Sequence, residues 1–328
     1  MTALPNTKRV LVIQSLDPAG MAMLEARDDI EVVQCTSLDE DEIARAAAGV
    51  HAMTVRAARI TRRIIEAAPD LLVVSRHGVG YDSVDLDALN ERRIPLCISI
   101  HSNMVSVAEQ SMALLLALAK ELAYYDPVTR TADWAGRYPV RGFDLEGMNL
   151  LIVGFGRTGS RVAKRALGFD MEVYACDPYV DDEVIRAHGA TPVPDCAAVL
   201  GDMDAVAIHC MKTPETTGMF GAGQFRAMKP SAVIVNCARG GIIDEAALYE
   251  ALTTGQIRSA GLDVLAAEPS PADHPLFGLD NVLFSPHIAG VTVESMRRMS
   301  TQAVDNVLRV FDGRPDPDCI VNRHILQS

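Results

Sequence analysis

The sequence predicts an α/β protein built from two doubly wound parallel-sheet domains. Three observations carry this. Short apolar runs alternate with helical patterns over residues 1–100, and the alternation recurs over 150–285. The chain has 328 residues, more than one common domain, and 49% of them are hydrophobic, enough for two cores. A glycine-rich turn at 154–159 joins a buried strand to a helix, as a parallel sheet requires.

The elements follow in order. Val10–Ile13, Glu31–Val33, Ala52–Val55 and Leu71–Val74 read as strands, with helical patterns between them at Asp39–Ala48 and Thr61–Ala67. Val105–Ala123 reads as one long helix. It is apolar almost all round, so it is expected to be buried between domains or in a subunit interface. Asp126–Glu146, with Pro127, Trp134, Gly136, Pro139 and Gly142, reads as an excursion or linker. Further strands are expected at Leu150–Val153, Val173–Cys176, Ala205–Ile208, Ala232–Val235, Ser259–Val264 and Val282–Phe284. The last helix is Thr292–Phe311, stopped by Gly313 and Pro315.

The turn Gly154-Phe155-Gly156-Arg157-Thr158-Gly159 has the spacing of a dinucleotide fingerprint. The first glycine permits a tight turn, the second lets a pyrophosphate approach, and the third lets the helix pack on the strand. The helix N-terminus adds unpaired N–H groups and partial positive charge. Asp177 lies 18 residues beyond Gly159, where a carboxylate can accept from an adenosine ribose and repel a 2′-phosphate. Pro178 and Tyr179 follow, with no arginine, so NAD is expected rather than NADP.

Charge excludes other classes. With 30 basic and 43 acidic residues the formal charge is −13, and no long basic run suits a nucleic-acid partner. Seven cysteines, an odd number without CxxC spacing, argue against a disulfide framework and a zinc site. No metal is therefore expected, and a reduced, cytoplasmic setting is. Met1–Lys8 lacks a signal-peptide core, and the apolar run Met112–Ala119 is too short to span a bilayer.

Polar residues cluster after consecutive strands, where open α/β sheets bind ligands. These are Asn236-Cys237-Ala238-Arg239, Gly261-Leu262-Asp263, Ala267-Glu268-Pro269 and Ser285-Pro286-His287-Ile288-Ala289-Gly290. An Arg, a Glu and a His spread over three loops suit acid/base chemistry beside an anion clamp. Together with His77-Gly78-Val79-Gly80-Tyr81-Asp82, Ser106-Val107-Ala108-Glu109 and the glycine turn, these segments resemble the D-isomer-specific 2-hydroxyacid dehydrogenases.

The resemblance implies a discontinuous, flavodoxin-like substrate-binding domain from 1–100 and 291–328. It implies a Rossmann NAD-binding domain over 101–290, with a cleft between the two. His287 is the implied proton donor and acceptor, Glu268 its partner, and Arg239 the holder and polariser of the substrate's carboxylate and carbonyl. Gly78, Val79 and Gly80 supply amides to the carboxylate, and Arg56 and His77 join them as substrate residues. Implied cofactor contacts also include Val107, Gly154, Phe155, Gly156, Arg157, Thr158, Gly159, Asp177, Pro178, His209, Cys210, Thr213, Pro214, Cys237, Ala238, Arg239, Asp263, His287 and Gly290. Asp263 is expected near the nicotinamide ring.

The expected protein is a homodimeric, NAD-dependent enzyme acting on hydroxypyruvate, glyoxylate or 3-phosphoglycerate-like acids. It would be a short form without the regulatory extension of longer phosphoglycerate dehydrogenases. The alternatives are a phosphite- or formate-type dehydrogenase, and an NAD-binding co-repressor or redox sensor on the same fold. Met211 stands where the family usually has proline, Asp170 where it usually has glycine, and the Lys and Gly frequent before the glycine turn are missing.

Overall fold

The first strand alternates strictly. Leu11 and Ile13 face one side of their sheet and Val10 and Val12 the other, all buried. A strand buried on both faces belongs inside a parallel sheet covered by helices. A computed structural model, describing residues 7–138 and 140–326, places it so. Of Met1–Lys8 only Thr7 and Lys8 are described, and Pro139 lies outside the described residues.

The chain divides into two compact units, Met1–Asn103 with Val291–Ser328, and Met104–Gly290. The first contains β1 (Lys8–Ile13), α1 (Pro18–Glu25), β2 (Ile30–Cys35), α2 (Glu40–Ala46), β3 (Ala52–Val55), α3 (Arg62–Glu66), β4 (Val73–Arg76), α4 (Leu86–Glu91) and β5 (Leu96–Ile98). Its strands are all parallel, in the order β2-β1-β3-β4-β5, the flavodoxin-like winding. The helix Val293–Phe311 packs in this unit against α1, β3, β4 and β5. Thr292 caps it by accepting from the Ser295 amide at 3.1 Å. The expected strand Leu71–Val74 sits two residues later, at Val73–Arg76. Leu71 instead closes the preceding turn, its amide bonding the Ala68 carbonyl.

The second unit begins with α5 (Met104–Ala119) and α6 (Leu122–Arg130). β6 (Asn149–Val153), α7 (Gly159–Leu167), β7 (Glu172–Cys176), α8 (Asp182–Ala187), β8 (Thr191–Pro192), α9 (Cys196–Val199) and β9 (Ala205–Ile208) follow. It ends with α10 (Ala222–Ala227), β10 (Val233–Asn236), α11 (Glu245–Thr253), β11 (Ser259–Leu262) and β12 (Val282–Phe284). Val293–Phe311 is then α12. The parallel order β12-β11-β10-β9-β6-β7-β8 is the Rossmann winding with one added strand. Its two faces bury separate clusters, Leu150, Ile152, Val173 and Val235 on one and Leu151, Val153, Val206 and Ile234 on the other.

Two helical expectations are corrected. The long helix stops at Ala119, because Glu121 adopts a left-handed conformation, φ +51°, with its carboxylate accepting from Arg258 at 3.0 Å. α5 is buried inside its own unit, against β10, β11 and α7, which accounts for its apolar circumference. The segment read as an excursion or linker, Asp126–Glu146, begins inside α6, which runs on to Arg130 with Pro127 within it. Among the described residues no helix is long and apolar enough to cross a membrane.

Candidate active site

The nucleotide turn is built by close approach. A Cβ on Gly154 (φ +93°) would lie 2.5 Å from the Cys210 nitrogen, and one on Gly159 would lie 2.1 Å from the Gly154 carbonyl oxygen. Neither position accepts a side chain. A Cβ on Gly156 would meet nothing within 4 Å, so the second glycine faces open space. The amides of Gly156, Arg157 and Thr158 make no hydrogen bond among the described residues. Open space lined by free amides ahead of a nine-residue helix fits a pyrophosphate. The Asp177 carboxylate accepts from the Phe155 amide at 2.8 Å and the Tyr179 amide at 2.9 Å, which ties the second strand's end to the turn. Pro178 is exposed beside it.

Beyond β9, the His209 amide bonds the Val153 carbonyl at 2.7 Å and burial pushes its imidazole down to about 4, so the ring is neutral. The Cys210 backbone packs on Gly154. Thr213 bonds Thr216 at 2.8 Å and shapes the loop into which Pro214 projects, exposed. Val107 packs half-buried against the core, and burial pushes the Cys237 thiol up to about 12.

Three further loops carry the acid/base set. After β10, Asn236 staples its own loop: its side chain accepts from the Ala238 amide at 3.0 Å and donates to the Arg239 carbonyl at 2.9 Å. Arg239 donates to the Ala238 carbonyl at 2.8 Å. After β11 comes Glu268, whose Oε1 accepts from the Leu265 amide at 3.2 Å. After β12 comes His287, in a left-handed conformation at φ +52°, its amide bonding the Asp263 carbonyl at 2.8 Å. His287 Nδ1 lies 2.6 Å from Glu268 Oε2. That contact leaves Nε2 as the ring's second nitrogen for exchange with a substrate.

The Glu268 hydrogen bond and charge hold the His287 imidazole above its ordinary value, against burial and the Arg239 charge. Burial raises the Glu268 carboxyl, but the bond and charge of His287 outweigh it, and the group titrates below the usual carboxylate range. Both shifts describe one charge-assisted pair.

Asp263 ties the His287 loop to the end of β11. It is 2% exposed, and its carboxylate accepts from the Ser285 hydroxyl and from the Ile288 and Ala289 amides, each amide at 2.9 Å. These bonds occupy the side chain in building the His287 loop, so Asp263 acts on the site through the position of that loop. Gly290 closes the loop and ends the unit.

Residues 112–289 match the family model described as D-isomer specific 2-hydroxyacid dehydrogenase, NAD binding domain. The D-3-phosphoglycerate dehydrogenase of Methanocaldococcus jannaschii is 37% identical over 306 residues, covering 93% of this chain and 58% of that protein. The hydroxypyruvate reductase of Thermotoga maritima is 34% identical over 309 residues, covering 92% of this chain and 97% of that protein. The chain belongs to the D-isomer specific 2-hydroxyacid dehydrogenase family. The crystal structure of an NADPH-dependent glyoxylate/hydroxypyruvate reductase from Sinorhizobium meliloti in complex with citrate has a TM-score of 0.86 at 27% identity. It covers 96% of this chain and 98% of that one. The chain spans 58% of the length of the phosphoglycerate dehydrogenase it matches.

Within this dehydrogenase-family chain, Arg239, Glu268 and His287 lie in the second unit with the nucleotide turn, and Arg56, His77 and Gly78–Gly80 lie in the first. The amides of Gly78, Val79 and Gly80 make no hydrogen bond among the described residues. His77 is a correction. It is 4% exposed, Nε2 meets the Ser300 hydroxyl at 2.9 Å, and burial pushes it down to about 4. It is a neutral core residue packed under α12, and no substrate anion reaches it. Arg76 spends its guanidinium on the carbonyls of Gly80 at 2.8 Å and Val55 at 3.2 Å. It shapes the glycine loop. Sequence reading placed Asn236 and Ser285 in the polar clusters without giving them a role, and missed Gln110, whose amide donates to the Ser285 hydroxyl at 3.1 Å. Asn236 and Ser285 were signalled only by lying near Arg239 and His287 in sequence, which does not distinguish a support from a bystander, and Gln110 acts across 175 positions and had no such signal.

Proposed function

We propose that the protein is an NAD(H)-dependent oxidoreductase of small D-2-hydroxy acids and their 2-keto counterparts. The observation that carries this reading is the 2.6 Å Glu268–His287 pair on the loops that follow β11 and β12. It lies in the unit whose β10 loop carries Arg239 and whose β6 ends in a glycine turn fit for pyrophosphate. When bound, the nicotinamide supplies or takes the hydride. His287 holds the proton at Nε2 for the carbonyl oxygen in reduction and withdraws it in oxidation. Glu268 on Nδ1 fixes the ring and favours its charged form. Arg239 keeps its charge throughout and pairs with the carboxylate. Asp177 supports NADH over NADPH, since a 2′-phosphate would face its carboxylate.

Taken by itself, the first unit carries amides suited to a carboxylate at Gly78–Gly80. It also contributes Arg56, which carries no ion pair among the described residues. Arg56 suits a polar or anionic C3 substituent, so hydroxypyruvate and its phosphorylated or sulfonated analogues are the proposed substrate class. All seven cysteines are unpaired, which supports a cytosolic setting.

The test is a spectrophotometric screen of NADH oxidation over 2-keto acids, including phosphorylated and sulfonated ones, repeated with NADPH. Turnover of one or more keto acids is expected, with higher kcat/KM for NADH. Arg56→Met should cost the dianionic substrate more than glyoxylate. Tight NADH binding with no turnover on any member would overturn the reading and leave a nucleotide-binding sensor.

A further inference from the structure

The loop that presents Glu268 has almost nothing apolar to hold it. Residues 266–269 are all exposed, and so are 271–273. A loop without buried side chains keeps its place only through polar ties. On one side the backbone of Gly240 abuts it, since a Cβ there would lie 1.8 Å from the Leu265 carbonyl oxygen. On the other side stands Glu245, the first residue of α11, set by the Asp244 cap, which accepts from Ala246 at 3.0 Å and Ala247 at 3.1 Å.

Glu245 faces two ways. Its Oε1 accepts from the Ala266 amide at 2.6 Å, two residues before Glu268. Its Oε2 lies 3.2 Å from His274 Nε2. The other ring nitrogen of His274 accepts from the Leu276 amide at 3.3 Å, so the proton sits on Nε2 and points at Glu245. The side chains are 12% and 21% exposed, so water competes weakly for this bond. The His274 ring packs on Phe277 at 5.2 Å. Phe277 meets Phe284 edge-on at 5.1 Å, and Phe284 ends β12, three residues before His287. One leg of the Glu245–His274 pair therefore holds the Glu268 loop and the other holds the strand end that presents His287.

We propose that Glu245 and His274 are positioning residues that together set the Glu268–His287 contact, one pair holding the other in register. The charged groups that face His287 are Glu268, Arg239 and Asp263, and neither Glu245 nor His274 is among them. Their effect on His287 must therefore pass through the position of Glu268. The inference rests on the acid/base reading of His287.

The test follows the imidazole directly, by NMR titration of histidine-labelled full-length protein, with His287 assigned from His287→Asn. In the wild type His287 should titrate above the ordinary value of about 6.5. Glu268→Gln should bring it down, Glu245→Ala most of the way, and His274→Asn part of the way. Glu245→Gln should keep more of the shift than Glu245→Ala, because its amide oxygen still accepts from Ala266. The double variant Glu245→Ala with Glu268→Gln should titrate like Glu268→Gln alone. Above the pKa, each unit lost removes about tenfold of the imidazolium, and kcat/KM for reduction should fall with it. The NADH Kd should stay unchanged.

An unmoved His287 titration in Glu245→Ala and His274→Asn, or additive shifts in the double variant, overturns the proposal. Should Glu245→Ala fail to fold, His274→Asn and Glu245→Gln carry the same test. A wild type with a raised His287 and no keto-acid turnover refutes the proposed function and leaves this inference standing. An active wild type with an unmoved titration in the variants refutes this inference alone.

Discussion

His287 and Glu268 meet in a contact that is only partly shielded, their side chains 50% and 38% exposed. Solvent screens the pair, so its worth lies in orienting a proton more than in stabilising the fold. His287→Ala should lower turnover by roughly 10²–10⁴-fold, the usual value of a positioned acid/base, with NADH binding kept. A variant with wild-type kcat would remove His287 from the chemistry. The pH behaviour follows from the two shifts. The imidazole is raised, so the charged form persists above its ordinary range and is lost as pH climbs through the raised value. The carboxyl is lowered, so the pair breaks at acid pH only below the ordinary carboxylate range. Keto-acid reduction needs the imidazolium and should fall as pH rises through the raised pKa, while hydroxy-acid oxidation should rise. Glu268→Gln should move both midpoints to lower pH, and superimposable profiles would show that the contact does not act on the proton. At this scale the sequence was partly legible. Arg239, Glu268 and His287 stood out because three reactive side chains followed three successive strands. His77, a histidine before a glycine loop at a strand end, read equally well as a substrate residue or as a surface or domain-packing one. Only Ser300, 223 positions away on α12, shows that it is core. The three donors that Asp263 serves, Ser285 and the Ile288 and Ala289 amides, lie more than twenty positions away and were not legible either.

Strands and helices were easier to read where one physical rule governed them. Ala52–Val55, Ala205–Ile208 and Val282–Phe284 lie where the apolar runs put them, and the first two are buried along their whole length, as strands inside a covered parallel sheet are. The helix after residue 104 was read too long, because nothing local marks Glu121 as a stop. Its left-handed backbone is held by Arg258, whose partnership no periodicity reveals. The glycine turn was legible because its constraint is steric, and the three glycines should fail differently. Gly159→Ala puts a Cβ against the Gly154 carbonyl, and should cost roughly 1–3 kcal/mol of stability in urea unfolding, as overpacking does. Gly156→Ala adds a methyl to open space. It should leave the urea midpoint unchanged and weaken NADH binding by about tenfold or more, an expectation of about 1.4 kcal/mol lost at the pyrophosphate. Equal NADH affinity in Gly156→Ala would mean that no ligand approaches that glycine.

Across the whole molecule, the acidic balance and the two windings account for what the protein excludes, and one surface feature is left over. The segment after α5 exposes Leu122 at 55%, Trp134 at 71%, Tyr138 at 62% and Val140 at 81%. Single apolar residues on a surface need no explanation, but four large ones within nineteen positions make the segment the candidate contact surface to test. α5, read from sequence as an interface helix, spends its apolar side on its own sheet, so we predict that any self-association uses the segment beyond it. A symmetric dimer would lay this patch on its copy, as isologous interfaces do. The chain has a single tryptophan, and it sits in the patch, so its fluorescence reports the event directly. At micromolar protein, light scattering should give twice the 35.3 kDa chain mass, with blue-shifted emission that moves red on dilution. A charge in the patch, Val140→Asp, should yield a folded monomer with red emission at every concentration. It should keep NADH binding, because the glycine turn and Asp177 lie outside the segment. A wild type that is monomeric with red emission throughout, or a Val140→Asp variant that still dimerises, would move the interface away from residues 122–140.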